Sequence, residues 1–348
     1  MKSLVSIITP TYNHEDFIYT CIKSVLSQTF TNWEMIIIDD YSTDNTYNIA
    51  LNFAKSDKRI KVLRHKSRWG IKKLKQTYNQ AVKIANGDLI AILEGDDYWP
   101  TNKLELQVKA FSDNKVIFSF GDCILADKQN YPLDIQYYRQ NKNNLNNSPV
   151  GSILNLFQDV DFYIAPVTAM IRKKTLLKIK GFNNDKIYPF VDIPTFLNLS
   201  LEGDFAYIND VLGYYRKHEH SSWFTYAKKT QAMGKLELVS YLNYFVSKNK
   251  KVLKEKNISL FDKTSSTKQE KILNNKKKEK YLSLIKHEIA FGNYSHAKSI
   301  SKNLLQKKEL TTFTKAIALI TASGLITNEY TFRIAGFAKL LFYKFTKK

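Results

Sequence analysis
The chain has 348 residues, 44% of them hydrophobic, which exceeds one typical domain and can build a real core. Only two cysteines occur, Cys21 and Cys123, which excludes a disulfide scaffold, fits a reducing compartment and leaves no zinc spacing. The net charge of +21 is uneven: residues 226–348 carry 26 basic against 8 acidic side chains, or +18, leaving +3 for residues 1–225.

In chain order, Leu4–Thr9 predicts a strand, too short an apolar run for a signal peptide. Glu15–Gln28 predicts a helix with Ile18, Ile22, Val25 and Leu26 on its apolar face. Glu34–Asp39 is a second strand, and Ser42 and Asp44 are cap types for a helix to about Lys55. Ile60–Leu63 follows as a strand, then a helix over Leu74–Asn86 that Gly87 ends. Leu89–Leu93 is a strand, Asn102–Phe111 a helix and Val116–Phe120 a strand. This alternation predicts an α/β fold with a doubly wound, mostly parallel sheet.

From Ala126 to Pro149 the pattern reads as a long surface loop. Thr168–Ile171 then predicts a strand, Lys173–Lys178 a short helix, Asp192–Leu201 a helix and Phe205–Ile208 a strand. Beyond Tyr226 the pattern is helical, with a Lys-rich break over Asp262–Lys280 and a helical hairpin over Tyr281–Gln306. Phe313–Phe345 alternates apolar blocks with basic residues and fits an interfacial amphipathic helix or a buried one. No run reaches 18 apolar residues, so no spanning helix is expected. Two domains follow: 1–225, and a basic helical region 226–348 for membrane or partner association.

Two apolar runs end in acids. Met35–Ile38 runs into Asp39 and Asp40; Leu89–Leu93 runs into Glu94-Gly95-Asp96-Asp97. Both clusters are expected at the carboxyl edge of one parallel sheet, where open α/β folds bind ligands. Carboxylates crowded there suit a divalent cation, Mg²⁺ or Mn²⁺, bridging to a diphosphate. The turn Thr9-Pro10-Thr11-Tyr12-Asn13 offers a ring that, beside Asp40, can hold a nucleobase. No Gly-x-Gly-x-x-Gly and no Gly-rich Lys-Ser/Thr loop is present, which argues against a dinucleotide dehydrogenase or a P-loop enzyme.

Four segments in order carry a specific resemblance. Val5–Asn13, Ser24–Glu34, Asp39–Asp44 and Asn86-Gly87-Asp88 ahead of Glu94–Asp97 resemble family 2 glycosyltransferases of the GT-A fold, over roughly residues 3 to 222. The resemblance implies a nucleotide site at Pro10, Tyr12, Asn13, Asp40, Arg68, Lys72, Lys73, Glu94 and Gly95. Asp96 matches the metal-binding acid, with Mn²⁺ or Mg²⁺ as the cofactor. Glu94 stands where many members have Asp, a departure that keeps a carboxylate with different reach, and Asp97 is expected to position the loop. Asp192, after Gly181-Phe182-Asn183, is the expected general base, ahead of Asp185. His218, in Tyr215-Arg216-Lys217-His218, is the expected second metal ligand or a diphosphate contact.

The implied activity is inverting transfer of a sugar from a nucleotide-sugar, UDP being the better guess, to a cell-envelope glycan or glycolipid acceptor. The expected place is the cytoplasm, with peripheral membrane contact through the basic region. An inactive GT-A scaffold is the alternative, against which the acids at 94, 96 and 192 argue. A nucleic-acid binder using the basic tail ranks lower, since the tail holds no recognition motif.

Overall fold
Side chains alternate along a strand, and here both faces of the central strands are apolar, so both must be covered. The computed structural model describes residues 3–136, 145–157, 162–185, 188–219, 221, 234–256 and 258. Strands β1 (Val5–Thr11), β2 (Trp33–Asp39), β3 (Ile60–Arg64) and β4 (Leu89–Ile92) lie parallel in the order β3-β2-β1-β4. On one face Ile8, Ile36, Ile38, Ile90 and Ile92 join a core with Tyr78, Ala81 and Val82 of α3 (Leu74–Ile84). On the other, Val5, Ile7, Met35, Ile37, Leu89 and Ala91 pack on Ile18, Cys21, Ile22 and Val25 of α1 (Ile18–Leu26). Helices α2 (Thr46–Ser56) and α4 (Lys103–Ala110) complete this part of the alternation.

Because β2 and β3 lie to one side of β1 and β4 to the other, the chain reverses direction across the sheet at β1. The carboxyl ends of β1 and β4 therefore flank a topological switch point, the place where such sheets bind ligands. The resemblance's expectation of a mostly parallel α/β sheet holds for these strands.

Beyond β4 the sheet turns mixed. β5 (Val116–Ala126) and β7 (Met170–Arg172) follow in the order β4-β7-β5, with β7 antiparallel to both neighbours, and β8 (Asp204–Arg216) pairs with β5. Two expectations need correction. The expected loop over Ala126–Pro149 contains a strand, β6 (Pro132–Gln136), turned from β5 by the Asp127 amide bonding the Tyr131 carbonyl (2.9 Å). The expected short strand over Phe205–Ile208 is 13 residues long and carries Tyr214-Tyr215-Arg216. Its polar Asn209 and Asp210 hide the apolar pattern, while main-chain pairing continues regardless.

Short helices α5 (Leu154–Phe157), α6 (Lys173–Lys178) and α7 (Asp192–Leu199) lie among these strands in the sequence. Helices α8 (Gly234–Lys248) and α9 (Lys250–Glu255) come last. Tyr241, Leu242, Phe245 and Leu253 join the same core as α3, so their burial is what fixes this stretch.

Two compact units are distinguished: residues 1–124, 136–216 and 226–260, and residues 125–135, 217–225 and 261–348. Among the described residues no helix is long and apolar enough to cross a membrane. The expected break over 262–280, hairpin over 281–306 and amphipathic stretch over 313–345 lie outside the described residues.

Candidate active site
The ends of β1 and β4 meet through main-chain bonds: Leu93 N–H to Ile8 O (3.1 Å) and Gly95 N–H to Pro10 O (3.0 Å). Glycine at 95 is needed for this approach, since a Cβ there would lie 2.7 Å from Thr11 Cβ and 2.9 Å from His14 Nδ1. Gly95→Ala is therefore expected to cost about 1–3 kcal/mol in overpacking and to weaken Mn²⁺ binding. A thermal melt with a Mn²⁺ titration checks both.

Glu94, Asp96 and Asp97 each offer an oxygen, and the three oxygens lie within 4.8 Å of one another. The Tyr78 hydroxyl donates to Glu94 Oε1. Asp97 Oδ1 accepts the Arg216 N–H (2.9 Å), while the Arg216 guanidinium donates to the Asp96 carbonyl. Arg216 is buried between the rings of Phe17 and Tyr98, 5.2 and 4.6 Å from its guanidinium carbon. It fixes the main chain of this loop and leaves the Asp96 side chain to face His14, whose Nε2 lies 3.7 Å from Oδ2. Tyr98 pairs with Tyr214 of β8 through main-chain bonds of 3.3 and 2.9 Å, with stacked rings, so β8 clamps the loop from outside.

Crowding shows in the electrostatics. The Glu94 carboxyl is pushed up from 4.5 to about 7, first by burial and then by the charge of Asp96. Burial, then Asp96 and Glu94, also pushes Asp97 well up. This hard-oxygen set fits a divalent cation, which would relieve that repulsion.

The sign of the pH effect follows. Glu94 keeps a proton in the folded state that the unfolded chain releases near 4.5, so its stabilising share is whole below pH 4.5 and lost as pH rises through about 7. The melting temperature of metal-free protein is expected to fall between about pH 5 and pH 8, with the gain from Mn²⁺ largest at the upper end. Melts across that range with EDTA or Mn²⁺ measure it.

The nucleotide-side residues take several roles. Tyr12 lies under the Arg68 guanidinium, 4.0 Å from ring centroid to carbon, so these two expected residues are brought together. Asn13, at φ 52°, is a brace: its amide donates to Ser42 Oγ (3.0 Å) and its side chain accepts the Thr43 N–H (2.9 Å). Asp40 accepts from His65 Nδ1 (2.7 Å) and the amides of Trp69 (2.8 Å) and Gly70 (2.7 Å). It thus anchors the loop that carries Arg68 toward Tyr12. Lys72 and Lys73 are exposed at the start of α3, Lys73 over the Trp69 ring at 5.4 Å. Asp39 shapes the turn by accepting the Ser42 N–H (3.1 Å).

Asp192 opens α7, in its first turn, and is buried. Its Oδ2 accepts the Tyr163 hydroxyl (2.7 Å), and among the described residues Oδ1 accepts no hydrogen bond. Burial raises its pKa, while the Tyr163 hydroxyl and the amides at the helix start pull it back. The Asp192 charge contributes to the upward shift of Glu94, so base candidate and acid cluster share one electrostatic neighbourhood. Asp185, the lesser candidate, donates its amide to the Tyr188 carbonyl (3.0 Å) in the preceding loop. His218 lies in the second unit, where its carbonyl accepts the Ser221 amide (3.2 Å).

Removing the Tyr163 hydroxyl should raise the Asp192 pKa further. A base works only when deprotonated, so the acidic limb of kcat against pH should move up by roughly one unit in Tyr163→Phe. A kcat–pH profile of the variant beside wild type reads the shift.

Residues 6–178 match the sequence profile described as Glycosyl transferase family 2. A Bacillus subtilis protein named as the teichuronic acid biosynthesis glycosyltransferase TuaG is 32% identical over 65% of this chain and 88% of its own. The chain belongs to glycosyl transferase family 2. This family 2 glycosyltransferase is also similar to the Escherichia coli UDP-Glc:alpha-D-GlcNAc-diphosphoundecaprenol beta-1,3-glucosyltransferase WfgD. That match is 44% identical over 34% of this chain and spans 45% of the relative's length. Among solved structures, Staphylococcus aureus TarS 1–349 in complex with UDP-GlcNAc aligns at a TM-score of 0.51 and 16% identity, over 96% of this chain and 91% of that one. The mannosyltransferase PcManGT from Pyrobaculum calidifontis, in complex with GDP-Man and Mn²⁺, aligns at 0.51 and 16%, over 98% and 88%. These two likenesses establish the GT-A-type fold of this family 2 glycosyltransferase.

Sequence reasoning missed four contributors: His14, Tyr78, Tyr163 and the role of Arg216. His14 follows the Tyr12-Asn13 turn directly, a position that could have drawn notice. Tyr78 and Tyr163 reach the site from a helix face and a loop, and no local pattern marks them.

Proposed function
We propose that this glycosyltransferase is metal-dependent and inverting. In this reading it moves a sugar from a UDP-sugar to a hydroxyl of a lipid-linked or other cell-envelope glycan acceptor. The observation that carries it is the pairing of the Glu94–Asp96 oxygens at the switch point with a buried Asp192 whose Oδ1 accepts no hydrogen bond among the described residues. The names of TuaG and WfgD support the envelope setting and a diphosphate-linked acceptor.

Tyr12 and Arg68 hold the nucleotide end of the donor, with Asp40 setting the loop that presents Arg68. Asp96 and Glu94 would hold a divalent cation, which when bound would offset charge on the departing diphosphate. Asp192 Oδ1 takes the proton of the acceptor hydroxyl. The hydroxyl oxygen bonds to the anomeric carbon as the bond to the diphosphate oxygen breaks, and a single displacement inverts that centre. Tyr163 keeps Asp192 aimed by occupying Oδ2.

The test supplies UDP-glucose, Mn²⁺ and a short-chain prenyl diphosphate-linked N-acetylglucosamine to the full chain. Mass spectrometry should find one added hexose, and NMR an anomer inverted relative to the donor. Absence of transfer with every UDP-sugar tried, or retention at that centre, counts against the reading.

A further inference from the structure
Glu94 is one methylene longer than an aspartate, and one of its two oxygens is already engaged. The Tyr78 hydroxyl donates to Oε1, and among the described residues Oε2 accepts no hydrogen bond. Asp97 is treated in the same way, its Oδ1 accepting the Arg216 N–H (2.9 Å). Two of the three clustered carboxylates thus have one oxygen bonded within the protein.

The Tyr78 hydroxyl is held rigidly. Tyr78 lies on the buried face of α3 with Thr77, Ala81 and Val82. Its ring packs on Phe182, with centroids 4.9 Å apart and planes at 58°. Phe182 is tied in turn to the next residue of the helix. Asn79 Oδ1 accepts the Phe182 N–H (2.8 Å), and Asn79 Nδ2 donates to the Phe182 carbonyl (2.9 Å). Gly181, at φ 83°, permits this approach, since a Cβ there would run into the Asn79 side chain. The aim of the hydroxyl is therefore set by packing and not by its own rotation.

We infer that Tyr78 is a positioning residue that makes Glu94 a one-oxygen ligand, and so selects Mn²⁺ or Mg²⁺ over Ca²⁺. The inference rests on the cation site of the proposed function. Chelation by a carboxylate needs both oxygens to face the ion together, and a hydroxyl fixed on Oε1 turns that oxygen toward α3. Ca²⁺ takes about six to eight oxygens, commonly with a chelating carboxylate among them, whereas the smaller ions accept octahedral sets of single oxygens. Groups that bond a ligand's far atom set its orientation, and their loss typically costs about 10–100-fold in metal affinity.

The test titrates Mn²⁺ and Ca²⁺ separately into the metal-free full chain by calorimetry. Wild type, Tyr78→Phe, Glu94→Gln and the double variant are compared. Wild type should prefer Mn²⁺. Tyr78→Phe keeps the ring in its packing and should lower the preference for Mn²⁺ over Ca²⁺ by about tenfold. In the Glu94→Gln background the same substitution should leave the preference unmoved, because the hydroxyl acts through the carboxylate. A merely structural tyrosine predicts equal weakening of both ions, or the same change with and without Glu94, and either result overturns the inference. A wild type that prefers Ca²⁺ overturns it too. Should Tyr78→Phe not fold, Glu94→Asp carries the test. It withdraws the carboxylate from the hydroxyl by one methylene, and a preference unchanged from wild type then overturns the inference. Absence of divalent-cation binding by wild type sinks the proposed function itself, whereas Mn²⁺ binding with an unmoved preference in Tyr78→Phe sinks this inference alone.

Discussion

Asp192→Asn should lower kcat for sugar transfer by about 10²–10⁴-fold, the usual worth of a positioned general base. Donor affinity should stay near wild type, because Asp192 is assigned to the acceptor proton and not to the nucleotide. Stability should hold or rise slightly. The substitution removes a buried charge whose pKa burial already raises, and the amide oxygen can still accept from Tyr163. A purely structural role predicts a different pattern. Asp192 lies within the first turn and Val191 is the cap, so a helix-start role alone would give a stability loss of about 1 kcal/mol with kcat largely kept. Turnover assays paired with thermal melts separate the two.

Asp96→Ala should have the other large effect. Charge offset at a departing diphosphate is worth several kcal/mol, so a loss of about 10³-fold in kcat/KM is expected, with the Mn²⁺ dependence largely removed. The loop should keep its course, because Arg216 bonds the Asp96 carbonyl and the Asp97 carboxylate, both of which the substitution leaves in place. Glu94 should titrate lower in this variant, since the Asp96 charge is the second cause of its shift. Mn²⁺ titrations of activity and of the melting temperature, in both proteins, check the pair of effects.

Much of the parallel half of the fold was legible because its strands are short, continuous and β-branched. Trp33–Asp39 is buried throughout, and its sequence says so without any partner being known. The acids were legible for the same reason, as charges standing where an apolar run stops. The antiparallel half was not. β8 mixes Tyr, Asn, Asp and Gly, and its pairing with β5 rests on main-chain bonds that no side-chain period reports. The strand β6 hid in a polar stretch for a related cause.

Site residues divide along the same line. Tyr12, Asp96 and Asp192 come from motifs, so the resemblance marks them. Asn13 and Asp40 were marked as well, yet their described bonds run to the protein's own turns and amides, a bracing role that only the fold reveals. Tyr78 and Tyr163 reach Glu94 and Asp192 across 16 and 29 residues, and Arg216 reaches Asp97 across 119. Such contacts belong to the packing and not to any local spacing.

In the proposed function the acids at the end of β4 would hold a divalent cation that the donor needs. The direct measurement is release of UDP from a UDP-sugar by the full chain after EDTA treatment, before and after Mn²⁺ is restored. EDTA should abolish release, and Mn²⁺ should restore it in wild type but not in Asp96→Ala. Undiminished release in EDTA would contradict it.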